Sequence, residues 1–482
     1  MRIHGRAILV RIRTAQPAAD YPSGSPPNAF AGCRTISATF PADGGDKANG
    51  VAVGSAAMND DPVYFGQRFG YASEVPFGLG VADARRHVYV IGQTGSGKTT
   101  LLRNVVLQHI AAGHGIALLD PHGDLADELL DHFPPWRADD LVHFCPADAD
   151  FPVAFNPLAN VPPAERPLVT AGLVSAFKSI WRDSWGPRLE YILANTIAAL
   201  LEAKNTSLLG INRMLADEAY RAWVVRQVRD PFVRAYWVDE FASYDGRFLR
   251  EAIAPIQNKL GQLLLSPLLR NILGQVGSKV DLRFMMDTGR VFIANLAKGQ
   301  LGTEPANLLG ALLAAQFQHA AITRANIPES ERRDFFLVID EFHNFTTDTL
   351  ATALAEARKY RLSLTLAHQY LEQLRPELRA AVFGNVGTVV AFRVGHPDAT
   401  VLAEQFGNSF AAEHFSDLAR HEVLVQSLHG GVPLEPFRGV TLPPIQSAHA
   451  RRHRLIRRSR EKYAVPRAVI ENRLHRWLTH PC

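Results

Sequence analysis

Residues 86–99, with the sequence RHVYVIGQTGSGKT, decide the fold of this chain. The first half of the stretch is mostly apolar and predicts a buried strand. The glycine-rich GQTGSGKT that follows matches the pattern G-x-x-x-x-G-K-[ST], and residues 99–112 have the character of a helix that ends at Gly113. A strand, a glycine-rich turn and a helix in this order are the context in which such a turn holds phosphate. Residues 92–99 are therefore predicted to form a phosphate-binding loop.

The residue types of this loop indicate how it would hold a nucleotide. Glycines let backbone N–H groups wrap around phosphates, and the start of the following helix adds a favourable dipole. The Lys98 ammonium would reach the β- and γ-phosphates of ATP, and the Thr99 hydroxyl would bind Mg²⁺. The predicted nucleotide-binding residues are Gly92, Gln93, Thr94, Gly95, Ser96, Gly97, Lys98, Thr99 and Thr100.

A second motif, FFLVIDE at residues 335–341, supplies the acidic pair that hydrolysis at such a loop requires. Its apolar run predicts a strand buried on both faces. Asp340 would hold Mg²⁺ through water, and Glu341 would act as the general base on the attacking water. Two solvated acids at the end of an ordinary strand would look similar, but the glycine-rich loop upstream favours the catalytic interpretation.

Two further polar residues end predicted strands. Gln369 follows LSLTLAH, where its amide could contact both the γ-phosphate and the attacking water, although a glutamine that faces a loop is the alternative. Asp120 ends the strand GIALLD, and open α/β sheets bind ligands at the carboxyl ends of their strands. An ordinary Asp-Pro turn explains Asp120 nearly as well.

The order of predicted elements indicates an α/β fold with a mainly parallel central sheet and an all-helical insertion. The strand at residues 115–120 completes a β-α-β unit, which requires parallel strands. Between residues 160 and 280 apolar residues recur at helical spacing, with few strand signals. The α/β pattern then resumes with predicted strands at 290–296, 335–340, 362–367 and 388–394 and predicted helices at 306–324, 348–360 and 398–406.

The composition suits a globular protein with a large core. Of 482 residues, 47% are hydrophobic and 20% charged, and the formal net charge of +4 says little about partners. The cysteines at 33, 145 and 482 form no CxxC pair, so a zinc ribbon or a disulfide framework is not expected. The most apolar stretch, residues 308–322, is too short and too polar to span a membrane, and no export signal is recognised.

The two ends of the chain differ from the middle. Residues 1–57 are rich in Ala, Pro, Gly and Ser and predict a disordered leader, with either Met1 or Met58 as the translation start. Residues 446–482 contain ten basic residues and two glutamates. This basic tail would suit contacts with phosphates, and a solvated, disordered end is an equally good interpretation.

Several segments together resemble the HerA/FtsK superfamily of ring ATPases, and within it the conjugative coupling proteins of the TraG/TraD type. The resemblance covers residues 65–442. It includes IGQTGSGKTTLL, LLDPHGDL, AFNPL, WGPRLEYIL, IANLAKGQLG, LVIDEFHNF, EARKYRLSLTLAHQYLEQL and VAFRVGHPDA. The phosphate-binding loop alone is generic, whereas the acidic strand combined with the ARK-x-x-L…Q run is specific.

The resemblance implies a RecA-like motor domain divided along the chain. The predicted units are a leader at 1–57, a first ATPase part at 58–158, the helical insertion at 159–283, a second ATPase part at 284–445 and the basic tail at 446–482. Coupling proteins usually carry N-terminal membrane helices, and the sequence shows no such segment.

The resemblance also implies roles for individual residues. Lys98 and Thr99 match the Walker A motif, Asp340 and Glu341 match Walker B, and Gln369 matches a glutamine that senses the γ-phosphate. Arg358 matches the arginine that coupling proteins present to a neighbouring subunit's nucleotide. A solvated charge beside Lys359 and Arg361 is the alternative for Arg358, and Arg393 is a weaker rival for the same role.

The sequence therefore predicts an ATPase that uses ATP and Mg²⁺ to move DNA, single- or double-stranded, in a conjugative or type IV secretion system. The implied partners are further copies of the chain in a homohexamer and a relaxase or membrane-bound secretion components. The expected location is the cytoplasm, with recruitment to the periphery of the inner membrane. The alternative is a secretion or pilus-assembly ATPase whose substrate is protein.

Overall fold

The structure, a computed structural model, describes residues 61–69, 74–446 and 451–479, together with the backbone of residues 9–13 and 33–37. The predicted disordered leader and the choice between Met1 and Met58 lie largely outside the described residues. Strands β1 to β15 are Leu9–Arg13, Cys33–Ser37, Val63–Phe69, Glu74–Leu79, Val88–Ile91, Gly115–Asp120, Leu141–Phe144, Val291–Asn295, Phe335–Ile339, Leu362–His368, Thr388–Ala391, Glu422–Gln426, Leu428–His429, Val432–Pro433 and Phe437–Thr441.

Helices occupy most of the remaining described residues. Helices α1 to α19 are Val81–Ala84, Lys98–Ala111, Asp124–His132, Arg166–Ile180, Pro187–Glu202, Gly210–Ala216, Glu218–Val225, Pro231–Ala235, Gly246–Leu265, Pro267–Leu273, Leu282–Thr288, Lys298–Leu301, Thr303–Thr323, Asp348–Glu356, Pro376–Asn385, His396–Gln405, Ala412–Ser416, Arg452–Tyr463 and Arg467–Thr479. Short 3₁₀ turns at Phe342–Phe345 and Ala357–Tyr360 flank α14. Among these described helices, α13 included, none combines the length and the apolarity needed to cross a membrane.

One sheet of eleven strands organises the chain, in the order β4-β3-β15-β12-β11-β5-β10-β9-β6-β8-β7. The seven strands from β11 to β7 run parallel to one another. The remaining four, β12, β15, β3 and β4, continue the sheet in antiparallel pairs. This mainly parallel sheet confirms the predicted fold class.

Helices cover both faces of the parallel strands, so each of these strands is buried along its whole length and mostly apolar. Side chains along β5 alternate between two cores: Val88 and Val90 belong to the core on one face, and Tyr89 and Ile91 to the core on the other. The core that contains Tyr89 continues into α4 to α11, which lie between β7 and β8 in the chain. The predicted helical insertion therefore shares its core with one face of the sheet.

The basic tail forms two helices, α18 and α19, and is not a disordered end. Helix α18 packs along the edge strand β7, where the Ser459 hydroxyl accepts a hydrogen bond from the His143 backbone N–H at 2.9 Å. Helix α19 reaches the insertion, where Arg213 donates to the Trp477 carbonyl at 2.6 Å. The ion pairs that fasten α18 are Arg452–Asp127, Arg458–Asp139, Arg460–Asp148 and Lys462–Asp139.

Candidate nucleotide site

The glycine-rich loop lies at the carboxyl end of β5, between β10 and β11. Gly97 precedes α2 with φ +121°, and a Cβ there would come within 2.6 Å of the His421 ring, so only glycine fits. The Ser96 hydroxyl donates to the Gln93 carbonyl at 2.7 Å and closes the turn. Of the predicted loop residues, Gln93, Thr94, Gly95 and Thr99 are exposed. The loop therefore presents backbone N–H groups and the Thr99 hydroxyl to solvent at the start of a 14-residue helix.

Lys98 is buried beneath this loop. Its ammonium donates to the Gly92 carbonyl at 2.5 Å and to the Gln93 carbonyl at 3.2 Å. Burial lowers the pKa of Lys98, and the nearby carboxylates of Glu341 and Asp340 act in the opposite direction. The charge is thus held inside the loop that would surround the phosphates.

The acidic pair follows β9, which is separated from β5 by β10 alone. Asp340 is 6% exposed, and its pKa is raised to about 7 by burial, then by the negative charges of Asp120 and Glu341. Glu341 is 5% exposed, and within the described part of the chain its Oε2 has no hydrogen-bond partner. Neighbouring buried negative charges disfavour ionisation, and a bound cation would offset them, so the carboxylate oxygens of this site suit Mg²⁺.

Glu341 adopts the left-handed backbone conformation, with φ +44° and ψ +49°. A residue with a side chain loses about 1–2 kcal/mol in this conformation, so neighbouring bonds must hold it. Its N–H donates to Asp340 Oδ1 at 3.0 Å, and its carbonyl accepts from the Asn344 side-chain amide at 2.8 Å. The turn after β9 therefore aims the Glu341 carboxylate along a defined direction.

Gln369 contacts Glu341 directly, as its predicted place beside the acidic strand requires. Its Nε2 donates to Glu341 Oε1 at 2.9 Å, and Gln373 Oε1 accepts from the Gln369 backbone N–H at 3.2 Å. On the other side, His343 Nδ1 lies 3.4 Å from Glu341 Oε2. Burial and the charges of Lys298 and His122 lower the pKa of His343 to about 4, so His343 is neutral at pH 7.

Asp120 is fully buried at the end of β6, and its carboxylate accepts hydrogen bonds from the loop that follows. Its two carboxylate oxygens accept hydrogen bonds from the backbone N–H groups of His122 and Ala126, each at 2.9 Å. Burial raises the pKa of Asp120 although these bonds oppose the shift. The contacts of Asp120 are therefore those of an Asp-Pro turn. Its negative charge also raises the pKa of Asp340.

Arg358 lies at the opposite end of the sheet from the glycine-rich loop. The helix before it, α14, therefore ends far from the edge at which the chain's own nucleotide would bind. Since β9 and β10 are parallel, α14 must return the chain from the carboxyl end of β9 to the amino end of β10. Arg358 is exposed there and borders a cavity of about 420 Å³ with Arg86 and His87.

Arg393 lies instead beside the glycine-rich loop of its own chain. It follows β11, its side chain is exposed, and its carbonyl accepts the Gln93 N–H at 2.8 Å. An exposed guanidinium at this edge can approach a nucleotide of its own subunit. Arg358 cannot do so.

Sequence reasoning assigned no role to several residues of this site. His421 begins the antiparallel part of the sheet, and its N–H donates to the Ser96 carbonyl at 2.8 Å. No motif marks His421, because only the tertiary fold brings it to the loop. Lys298, His343 and Asn344 surround the Glu341 turn. They could have been found from the sequence, because they lie in IANLAKGQLG and LVIDEFHNF, two of the segments that carry the family resemblance.

Two family models match the chain on either side of the insertion. Residues 63–156 match the central domain of the helicase HerA, and residues 334–419 match the TraM recognition site of TraD and TraG. Among curated proteins, no relative matches the chain at a significant level.

The fold is shared with solved structures of the coupling protein TrwB. The unbound bacterial conjugative coupling protein TrwBdeltaN70 is 15% identical with a TM-score of 0.56, over 80% of this chain and 90% of that one. TrwB in complex with a non-hydrolysable GTP analogue is 16% identical with a TM-score of 0.55, over 83% and 98% of the two chains. TrwB in complex with ADP and Mg²⁺ is 14% identical with a TM-score of 0.55, over 77% and 88%. By these two family matches and this shared fold, the chain resembles HerA/FtsK P-loop ATPases and, among them, coupling proteins of the TraG/TraD type.

Proposed function

We propose that this chain is an ATP-driven motor that moves DNA in a conjugative or type IV secretion system and works as a homohexameric ring. The observation that carries the proposal is the meeting of Lys98, Glu341 and Gln369 at the carboxyl ends of three adjacent parallel strands, β5, β9 and β10. The likeness to TrwB, which has been solved with nucleotides, supports a nucleotide at this edge.

In this proposal each residue has a chemical task. Backbone N–H groups between Thr94 and Thr100 and the Lys98 ammonium bind the phosphates of ATP, because the N–H groups of Gly92 and Gln93 already donate to neighbouring carbonyls. Thr99 and Asp340 hold Mg²⁺, which neutralises charge between the β- and γ-phosphates. Glu341 accepts the proton of the attacking water, and Gln369 orients that water through its contact with Glu341.

The geometry of Arg358 suits a function between subunits. An arginine finger stabilises charge on the phosphoryl group that is transferred, and the finger is often supplied by another molecule. Arg358 is exposed at the edge of the sheet that its own nucleotide cannot reach. In a ring of identical subunits, this edge would face the glycine-rich loop of the neighbouring subunit. Arg393 stays the alternative finger, acting within its own subunit.

DNA, a relaxase and membrane-bound secretion components are the proposed partners, with a cytoplasmic location. The tail could still contribute phosphate contacts through exposed arginines such as Arg454 and Arg473. Its contribution is smaller than its composition predicts, because Arg452, Arg458 and Arg460 already pair with aspartates of the ATPase domain.

Replacing Glu341 with glutamine tests the assignment of the base. We expect Glu341→Gln to bind ATP and Mg²⁺ normally but to hydrolyse ATP about 10²–10⁴-fold more slowly, because an amide cannot accept the proton. Single-turnover hydrolysis and equilibrium binding of a fluorescent ATP analogue would measure the two effects separately. Glu404→Gln, on α16, is the matched control and should behave as wild type. Normal hydrolysis by Glu341→Gln would exclude Glu341 as the base.

A further inference from the structure

Glu341 depends on a contact that the proposed reaction does not explain. Asn344 holds the left-handed backbone of Glu341 through two hydrogen bonds to the Glu341 carbonyl, from its backbone N–H at 3.0 Å and from its side-chain Nδ2 at 2.8 Å. An amide side chain presents a donor on one side and an acceptor on the other, so the same contact fails if the amide turns over. The direction of the Glu341 carboxylate therefore depends in part on whatever fixes the orientation of the Asn344 amide.

Lys298 fixes that orientation. Its ammonium donates to Asn344 Oδ1 at 2.5 Å, and an ammonium can only donate. The amide oxygen must therefore face Lys298, which leaves the amide nitrogen facing Glu341. The two hydrogen bonds form one chain from Lys298 through Asn344 to the Glu341 backbone.

Lys298 is itself held in place. It begins α12, after a two-residue connection from β8, and its backbone N–H donates to the Pro121 carbonyl at 3.0 Å. Two residues earlier, the Leu296 N–H donates to the Asp120 carbonyl at 2.8 Å. The side chain is half-buried. Burial lowers the pKa of Lys298, and the negative charge of Glu341 opposes this shift. Three neighbouring strands, β8, β6 and β9, thus supply the parts of one arrangement.

We propose that Lys298 is a positioning residue for Glu341, acting through Asn344. This inference rests on the proposed ATP hydrolysis, because it assigns a part in that reaction to a residue outside the Walker motifs. Lys298 follows β8, which β10, β9 and β6 separate from β5, the strand before the glycine-rich loop, so its contribution falls on the chemical step and not on ATP binding.

The test replaces Lys298 with methionine, which keeps the length of the side chain and removes the donors. We expect kcat to fall about 10- to 100-fold, the range for the loss of a group that orients a catalytic ligand, while the KM for ATP stays unchanged. Lys298→Arg retains a donor and should recover much of the rate. Lys204→Met, at an exposed lysine on the insertion, is the matched control and should leave kcat unchanged.

A double variant separates this pathway from a general loss of structure. Asn344→Ala should lower kcat to a similar extent, and Lys298→Met combined with Asn344→Ala should be no slower than the slower single variant, because both act along one chain of contacts. Melting temperature and the affinity for a fluorescent ATP analogue would be measured on the same samples.

Failure of the Lys298 inference can be distinguished from failure of the proposed ATPase function. An unchanged kcat in Lys298→Met, a rise in KM alone, multiplying losses in the double variant, or a lower melting temperature that Lys298→Arg does not rescue would each overturn the inference. The proposed function survives those results if wild type hydrolyses ATP and Glu341→Gln does not. A wild-type protein without ATPase activity would overturn both.

Discussion

Replacing Lys98 with alanine is expected to abolish ATP hydrolysis and to weaken nucleotide binding. The Lys98 ammonium is buried beneath the glycine-rich loop and is the only side-chain cation that this loop itself contains. Removing it takes the positive charge away from the position where the β- and γ-phosphates would accumulate charge in the transition state. The loss of one such electrostatic group typically slows turnover by about 10²–10³-fold, and weaker binding adds to that loss.

The measurement is steady-state ATPase activity together with the dissociation constant for a fluorescent ATP analogue. Lys204→Ala removes an exposed lysine on the insertion and is the control for handling and folding. Circular dichroism should show that the Lys98→Ala protein is folded, because its ammonium bonds only within the loop. Wild-type turnover in Lys98→Ala would contradict the assignment of the site.

Replacing Arg358 with alanine is expected to slow hydrolysis by about 10³–10⁵-fold, the range for arginine fingers. ATP binding should be nearly unchanged, because Lys98 and the backbone of the loop are intact. The effect should appear only in the assembled ring, since Arg358 lies at the edge of the sheet opposite the nucleotide of its own subunit. Lys359→Ala, at the exposed neighbouring residue, is the matched control and should retain activity.

Mixing subunits gives the sharper form of this test. Arg358→Ala protein has an intact P-loop, Lys98→Ala protein has an intact finger, and each is expected to be inactive alone. Mixed rings place some intact fingers beside intact P-loops and should recover part of the ATPase activity. If mixed rings form and stay inactive, Arg358 does not act between subunits, and Arg393 becomes the better candidate.

Six of the seven parallel strands could be predicted because their signals are local, whereas the short edge strand β7 was missed. The apolar run of β5 and the glycines after it define a strand and a turn without any knowledge of the rest of the chain. The Phe335–Ile339 strand and its terminal acids are similarly self-contained. Periodicity likewise indicated the helical insertion between β7 and β8.

The parts that sequence reasoning missed depend on contacts between distant segments. The ion pairs of the tail join residues about three hundred positions apart, so composition alone could not distinguish a DNA-binding tail from a packed one. His421 and Lys298 reach the site only through the order of the strands. The position of Arg358 could have been derived, because a helix that connects parallel strands must end at their amino edge.

The central claim is that ATP hydrolysis by this chain is coupled to DNA in a ring. The most direct measurement is the ATPase rate with no nucleic acid, with single-stranded DNA and with double-stranded DNA, with particle mass determined on the same samples. The account predicts that at least one form of DNA raises the rate and that activity appears with the mass of a hexamer. A rate that is insensitive to both forms of DNA, in a protein that hydrolyses ATP, would contradict the motor assignment and favour a secretion ATPase with a protein substrate.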